Sequence, residues 1–145
     1  MAKFVFRMQS YLGVKEQIEE QKKNEYGQAL KRLEDERQKK YVLELEKTEM
    51  IRLFQTSLER AIKPIDIKRY NNRLNLLKIW IDEQEKRIET AAKYAEEKRL
   101  QLVEAMKERK ALETVKERNF EEYLKEEQRE EQRVVDGIVS YQYGG

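Results

Sequence analysis

The chain has 145 residues, of which 41% are charged and 39% hydrophobic, and it contains one proline and five glycines. This composition is typical of a long helix or coiled coil, and it leaves few apolar residues to fill a globular core. The 31 basic and 29 acidic residues nearly balance and alternate along the sequence. Because a nucleic-acid interface would cluster its cations on one face, we expect no nucleic-acid partner.

Two residue types that carry much of protein chemistry are absent. The lack of cysteine excludes disulfides and thiolate metal sites, and the lack of histidine removes the usual general base and imidazole ligand. The glycines are too scattered for a phosphate-binding loop. We therefore predict no catalytic residues, no metal site and no cofactor, and hence a protein that is not an enzyme.

A membrane span needs about 18 or more consecutive apolar residues, and no segment of this chain approaches that length. Residues 1–14 also lack the long apolar region of a secretory signal. We therefore expect a cytoplasmic protein with no direct insertion into a membrane.

The first half of the chain carries a loose helical pattern, which predicts a first helix over residues 3–62. Its apolar residues lie on one broad side that drifts between heptad positions, as the side of a straight helix does. They are Leu12, Ile18, Tyr26, Ala29, Leu30, Leu33, Tyr41, Leu43, Leu45, Met50, Ile51, Phe54, Leu58, Ala61 and Ile62. Charged residues interrupt this side at Lys22, Glu36, Lys40 and Lys47. The first helix is therefore the weaker partner in any pairing.

The only proline, Pro64, marks the predicted break between two helices. In a helix interior it would cost about 3 kcal/mol, whereas in the first turn it costs almost nothing, because the nitrogen there has no hydrogen-bond partner. Asp66 would then lie in the first turn of a second helix, where its charge meets the positive end of the helix dipole. We predict a turn over residues 63–66 and a second helix over residues 66–140. The alternative is one bent, continuous helix.

The second half carries an unbroken heptad over residues 67–123, with 12 of its 17 positions apolar. A stripe this long and narrow is the signature of a left-handed coiled coil. Its positions are Ile67, Tyr70, Leu74, Leu77, Ile81, Gln84, Ile88, Ala91, Ala95, Lys98, Leu102, Ala105, Arg109, Leu112, Lys116, Asn119 and Tyr123. We therefore predict an all-α fold, a long two-helix antiparallel coiled-coil hairpin that forms a single domain over residues 1–145.

The position of the turn predicts the register of this hairpin. With a turn centred near residue 64, the numbers of facing residues total about 128, since both helices rise equally per residue. Phe6 would then lie beside Glu122 or Tyr123, and the chain after about Lys125 would have no opposite helix.

An apolar cluster follows the charged run over residues 126–133. It comprises Val134, Val135, Ile138, Val139, Tyr141 and Tyr143. The cluster has no partner within the predicted hairpin, and an exposed apolar patch usually marks a binding surface. The alternatives are self-association, or disorder favoured by Gly137, Gly144 and Gly145, and we predict a flexible tail over residues 141–145.

The only tryptophan, Trp80, lies next to the stripe position Ile81. Packing on the flank of the hairpin is the more common role for such a residue. However, the combined apolar surface of Trp80, Leu76 and Ile79 is larger than one stripe can cover. This excess indicates a docking patch near the turn.

Several segments resemble the FliJ family of flagellar export proteins. The opening FVFRMQ at residues 4–9 is similar to the amino end of that family, and IKRYNN at residues 67–72 is similar to the start of its second helix. Lys116-Glu117-Arg118 with Phe120, and Val135-Asp136 with Ile138, also match. The resemblance covers almost the whole chain.

What the resemblance implies is a coiled coil similar to the central stalk of rotary ATPases. Members of the family bind the flagellar export ATPase, contact the cytoplasmic domain of the membrane export gate and handle empty export chaperones. They act peripherally at the cytoplasmic face of the cell membrane, at the flagellar base. On this basis we predict an open-end set that binds the ATPase, namely Phe4, Phe6, Val134, Val135, Ile138 and Tyr141. We predict a tip set that binds the gate, namely Tyr70, Leu77, Trp80 and Ile81.

Two alternatives come from other functional classes. A structural coiled-coil spacer, such as a parallel homodimer, would use both apolar stripes between chains and would have twice the mass of the monomer. A helical-hairpin holdase similar in outline to prefoldin would instead bind unfolded clients.

Overall fold

A computed structural model of the protein describes residues 3–144. Over these residues the chain forms two α-helices, α1 (Gln9–Leu58) and α2 (Pro64–Tyr143), and no strand. The helices pack against each other in antiparallel directions, as the contacts of Glu25 with Lys98 and of Glu46 with Arg73 demonstrate. This arrangement confirms the predicted all-α helical hairpin.

Helix α1 begins later than the predicted residue 3, because the chain before it is not helical. Residues 3–6 lead into a turn in which the Gln9 amide donates to the Phe6 carbonyl at 3.0 Å. The Leu12 amide then donates to the Met8 carbonyl at 2.8 Å, in the helical pattern. Phe6 itself is buried, so this non-helical segment packs against the hairpin.

The two helices are joined by residues 59–63, which lie mostly before the predicted turn at 63–66. Pro64 is the first residue of α2, where its missing amide proton removes no hydrogen bond. The Lys63 carbonyl accepts bonds from the amides of Asp66 and Ile67 at 3.0 and 3.3 Å, which closes the first turn. The alternative of one continuous helix is therefore wrong.

At its other end α2 continues to Tyr143, past the predicted end at residue 140. The predicted flexible tail at 141–145 thus overlaps the helix, while Gly144 follows it. Met1, Ala2 and Gly145 lie outside the described residues. The mobility of the tail and the single domain over 1–145 stay predictions.

The contacts divide the chain into two compact units. Lys22–Gln101 form the turn unit, and the segments on either side of them form the terminal unit. In the turn unit, Ala29, Leu33, Ala91 and Ala95 form a buried cluster against which Ile88 and Ala92 pack. Three of these four buried residues are alanines, whose small side chains allow the two helices to pack closely.

The terminal unit has its own core. Phe6, Leu12 and Leu112 are buried together, and Phe4 packs against them. Ion pairs flank this core, such as Lys15 with Glu108 at 2.8 Å. Both units are therefore thin helix pairs whose cores consist of few residues.

The predicted heptad is confirmed, because every buried residue of α2 lies on it. These residues are Leu77, Ile81, Gln84, Ala91, Ala95, Ala105 and Leu112. Of the remaining stripe positions, only Asn119 is exposed, and the others are half-buried.

The predicted register is met by some facing pairs and missed by others: the numbers of Arg109 and Glu19 total 128, whereas other pairs lie about one helical turn away. Glu25 contacts Lys98, and Lys15 contacts Glu108, whereas a turn centred at residue 64 would bring later residues of α2 to both positions. These α2 residues lie closer to the turn than predicted, because the connection at 59–63 places the centre of the hairpin earlier in the chain. Phe4 makes the ring contact with Tyr123, at 5.5 Å between centroids, and Phe6 lines the same groove as Glu122 and Tyr123.

Candidate functional site

Within residues 3–144, the last part of α2 has no helix opposite it. Residues 124–143, which we call the α2 extension, contain no buried residue, and only Glu127 among them is half-buried. The last aromatic contact before it is that of Phe4 with Phe120 and Tyr123. This confirms the expectation that the chain after about Lys125 lacks an opposite helix.

Four predicted open-end residues lie on the α2 extension, and all are exposed. Val134, Val135 and Ile138 are 59%, 52% and 53% exposed, and Tyr141 is 87% exposed. We call these four residues the extension surface. Val139 and Tyr143 lie beside them and are exposed as well. Such a concentration of exposed aliphatic and aromatic side chains is unusual unless another molecule covers it.

The structure separates the other two members of the open-end set from this surface. Phe6 is only 5% exposed and packs against Leu112, while the Phe4 ring lies 5.2 Å from the Phe120 ring. From Tyr123, which Phe4 also contacts, to Val134 the helix rises about 16 Å. Phe4 and Phe6 are thus placed to hold the start of the chain against α2, at the point where the α2 extension begins.

Both arginines of the α2 extension pair with glutamates of the same helix. Arg129 lies 3.5 Å from Glu126, and Arg133 lies 3.3 Å from Glu130. A shallow groove next to them is lined by Glu127, Glu130, Glu131, Val134 and Val135. The groove therefore combines carboxylates with aliphatic side chains.

The tip set is divided by burial. Leu77 and Ile81 are buried in the core, with exposures of 0% and 8%. Tyr70 is half-buried, with its ring 5.5 Å from that of Phe54 and its hydroxyl 3.3 Å from the Ser57 hydroxyl. Leu77 and Ile81 can consequently contribute to binding only by positioning their neighbours.

Trp80 and two exposed neighbours form the surface on the outer side of α2. Leu76 and Ile79 are 43% and 52% exposed, and Trp80 is half-buried. We call these three residues the turn-side surface. The Arg73 guanidinium lies 5.0 Å from the centre of the Trp80 ring and is also paired with Glu46 of α1, so it fixes this ring against the hairpin.

Several other apolar residues of the turn unit are exposed and belong to neither predicted binding set. Ile65 is 58% exposed, and on α1 Tyr41, Val42 and Leu45 are all at least half exposed. Tyr41 and Leu45 were assigned to the broad apolar side of the first helix. That side is wider than the part that α2 covers, and a broad, drifting pattern does not indicate which of its residues face the partner.

Polar residues on the stripe are joined to partners on the opposite helix. Gln84 is buried and donates to the Glu36 backbone carbonyl at 2.9 Å and to the Glu36 carboxylate. Arg109 contacts Glu19 of α1 and also Glu113 of its own helix, at 2.7 Å. These polar layers specify one register, because a shift would leave them without partners.

The same contacts shift the acidities of the groups involved. The hydrogen bond from Gln84 lowers the pKa of Glu36, although burial opposes this effect. Burial acts to raise the pKa of Glu25, but the hydrogen bond from Lys98 and the charges of Lys22 and Lys98 outweigh it and lower that pKa. The bond to Glu19 raises the pKa of Arg109.

The part of the chain that the structure describes holds no group of three carboxylates close enough to bind a metal ion. Within the described residues, neither helix contains a stretch that is both long enough and apolar enough to cross a membrane.

Comparisons with known proteins agree with this architecture. The sequence profile of the family described as "Flagellar FliJ protein" matches residues 4–145. Among solved structures, that of a putative YscO homolog, CT670 from Chlamydia trachomatis, superposes with a TM-score of 0.59 and 20% identity. The match covers 98% of this chain and 96% of that one, and at this identity it concerns the fold alone. No curated protein sequence matches the chain significantly.

Proposed function

Because this chain belongs to the FliJ family, we propose that it is a non-enzymatic component of the bacterial flagellar protein export apparatus. Family membership links the chain to the flagellar and type III export machinery. In our proposal it binds the export ATPase ring as a stalk-like activator and couples that ring to the cytoplasmic domain of the membrane export gate. It also helps to recycle export chaperones, and it acts peripherally at the cytoplasmic face of the membrane, at the flagellar base.

The α2 extension is the observation that carries the ATPase assignment. A single helix with four exposed apolar residues on the extension surface cannot bury them within its own hairpin. Burying one such side chain contributes about 1.5 to 3 kcal/mol, so the extension surface can supply much of the binding free energy of a stable complex. In our proposal this helix enters the central opening of the ATPase ring, as a rotary stalk does.

The turn-side surface supports the assignment to the export gate. Leu76 and Ile79 offer exposed aliphatic area, and the guanidinium of Arg73 holds the Trp80 ring in place beside them. Trp and Arg are enriched among the residues that dominate the binding energy of interfaces. In this proposal Leu77 and Ile81 act as positioning residues from the core.

The proposal is tested by titrating the flagellar export ATPase of the same bacterium with this purified chain. We expect the rate of ATP hydrolysis and the mass of the ATPase assembly to rise together. No change in either, at concentrations well above micromolar, would contradict the ATPase assignment. A chain that is a dimer by itself would then favour a structural spacer, and capture of unfolded clients would favour a holdase.

A pair of matched variants separates the two surfaces. Val135→Asp with Ile138→Asp, and Leu76→Asp with Ile79→Asp, both replace exposed aliphatic residues three positions apart on α2. We expect the first variant to lose ATPase binding and keep binding to the isolated cytoplasmic domain of the gate, and the second to do the reverse. Both should keep the helicity of the native chain by circular dichroism. Equal loss of both partners in both variants would argue against separate surfaces.

A further inference from the structure

We propose that the ATPase surface that contacts the α2 extension is both aliphatic and basic, with cations placed to pair with Glu127 and Glu131. This inference rests on the proposed function and specifies the chemistry of the partner. It comes from the way in which carboxylates and apolar side chains share one face of the extension.

That face runs without interruption along the extension. Successive members are three or four positions apart, and residues with these spacings are neighbours on a helix surface. They are Tyr123, Glu127, Glu131, Val134, Ile138 and Tyr141. Two carboxylates thus occupy positions between an aromatic ring and an aliphatic patch, where a partner that covers the patch would also cover them.

Glu127 and Glu131 differ from the other glutamates of this segment. Glu126 and Glu130 pair with Arg129 and Arg133, whereas Glu127 and Glu131 make no hydrogen bond or ion pair within the described residues. Like charges four positions apart on a helix repel each other and destabilise it. A cation supplied by the partner would relieve this repulsion on binding.

The same charges disfavour other occupants of this face. An anionic lipid surface or a nucleic acid would bring phosphates towards the two carboxylates, which would repel them. A second copy docked through the same face would bring two pairs of carboxylates together. Like charges placed opposite each other in an interface oppose binding, so this arrangement is also unfavourable.

The inference is tested with Glu127→Gln combined with Glu131→Gln in the full chain. The substitution keeps the size of both side chains and removes their charge. The matched control is Glu117→Gln combined with Glu121→Gln, an exposed pair on the same helix with the same spacing and no ion pair. Binding of each chain to the export ATPase is measured by calorimetry at several salt concentrations, and thermal unfolding of each free chain is followed by circular dichroism.

We expect the first variant to bind the ATPase about ten-fold more weakly or worse at low salt, and its affinity to depend less on salt than that of the native chain. Its melting temperature should be unchanged or slightly higher, because the repulsion between residues 127 and 131 is gone. The control should show the same change in melting temperature and no change in affinity. A variant that unfolds at the same or a higher temperature and yet binds the ATPase more weakly has not lost affinity through misfolding.

Three outcomes overturn the inference. If the native chain binds the ATPase and both variants bind equally well, the partner surface is not basic at this position and the proposed function is unaffected. If both variants weaken binding equally, the effect comes from the net charge of the chain rather than from this face. If the native chain does not bind the ATPase at all, the ATPase assignment fails and the inference fails with it.

Discussion

Two stretches of helix α2 have similar compositions but different environments. Before residue 124, charged side chains of the stripe pair with the opposite helix, as Arg109 does with Glu19 and Lys98 with Glu25. In the α2 extension the salt bridges, Arg129 with Glu126 and Arg133 with Glu130, all lie within the helix. The apolar residues of the stripe are buried or half-buried in the first stretch, whereas the large apolar residues of the extension are exposed. The partner helix, rather than the residue types, distinguishes buried positions from exposed ones.

The largest expected difference between the two stretches comes from replacing one large aliphatic residue in each by alanine. Leu77→Ala removes a fully buried side chain and should lower the free energy of unfolding by about 2 to 4 kcal/mol, because it leaves a cavity. Ile138→Ala removes an exposed side chain and should change it by less than about 0.5 kcal/mol. Urea denaturation followed by circular dichroism measures both values. Similar losses in the two variants would imply that the extension is covered in the free protein.

A smaller effect is expected from a polar residue on the stripe. Gln84→Ala removes the donor to the Glu36 carbonyl and carboxylate and should lower the free energy of unfolding by about 1 to 2 kcal/mol, because a buried side chain loses two hydrogen bonds. Gln128→Ala, an exposed residue of the extension, is the control and should be nearly neutral. A neutral Gln84→Ala variant would indicate that water replaces the lost bonds.

The smallest effect concerns pH. The pKa values of Glu25 and Glu36 are lower in the folded chain than the ordinary value of 4.5. The stability that these groups contribute is therefore fully present above that value and is lost as the pH falls through their folded pKa values. The free energy of unfolding should fall as the pH is lowered from 5, and Glu36→Gln should fall less steeply than the native chain. Identical slopes would show that Glu36 does not take part.

Much of this fold could be predicted from local patterns. The heptad indicated every buried residue of α2, because only a narrow stripe of a helix can face one partner. Pro64 indicated the break between the helices, because proline is tolerated in the first turn and not in the interior of a helix. The exposed state of Val134, Val135, Ile138 and Tyr141 followed from the absence of an opposite helix, without knowledge of any side-chain contact.

The composition of the two candidate surfaces was harder to predict. Leu77 and Ile81 were assigned to the gate-binding set, yet both are buried, since they lie on the stripe that faces α1. Phe6 was assigned to the ATPase-binding set, yet it packs against Leu112. An apolar residue beside a predicted binding patch and one within the core look the same in sequence. Only the direction of the side chain relative to the partner helix separates them.

The sequence by itself determined that this chain forms two helices, that they pack along a heptad stripe and that the second helix extends beyond the end of the first. These properties depend on the spacing of apolar residues and on one proline, which are local features. Only the tertiary structure decided the register and the division between core and surface. Both depend on where residues 59–63 reverse the chain and on which polar residues, such as Gln84 and Glu36, meet across the pair. A change of one helical turn in that reversal would change every facing pair while leaving each local pattern intact.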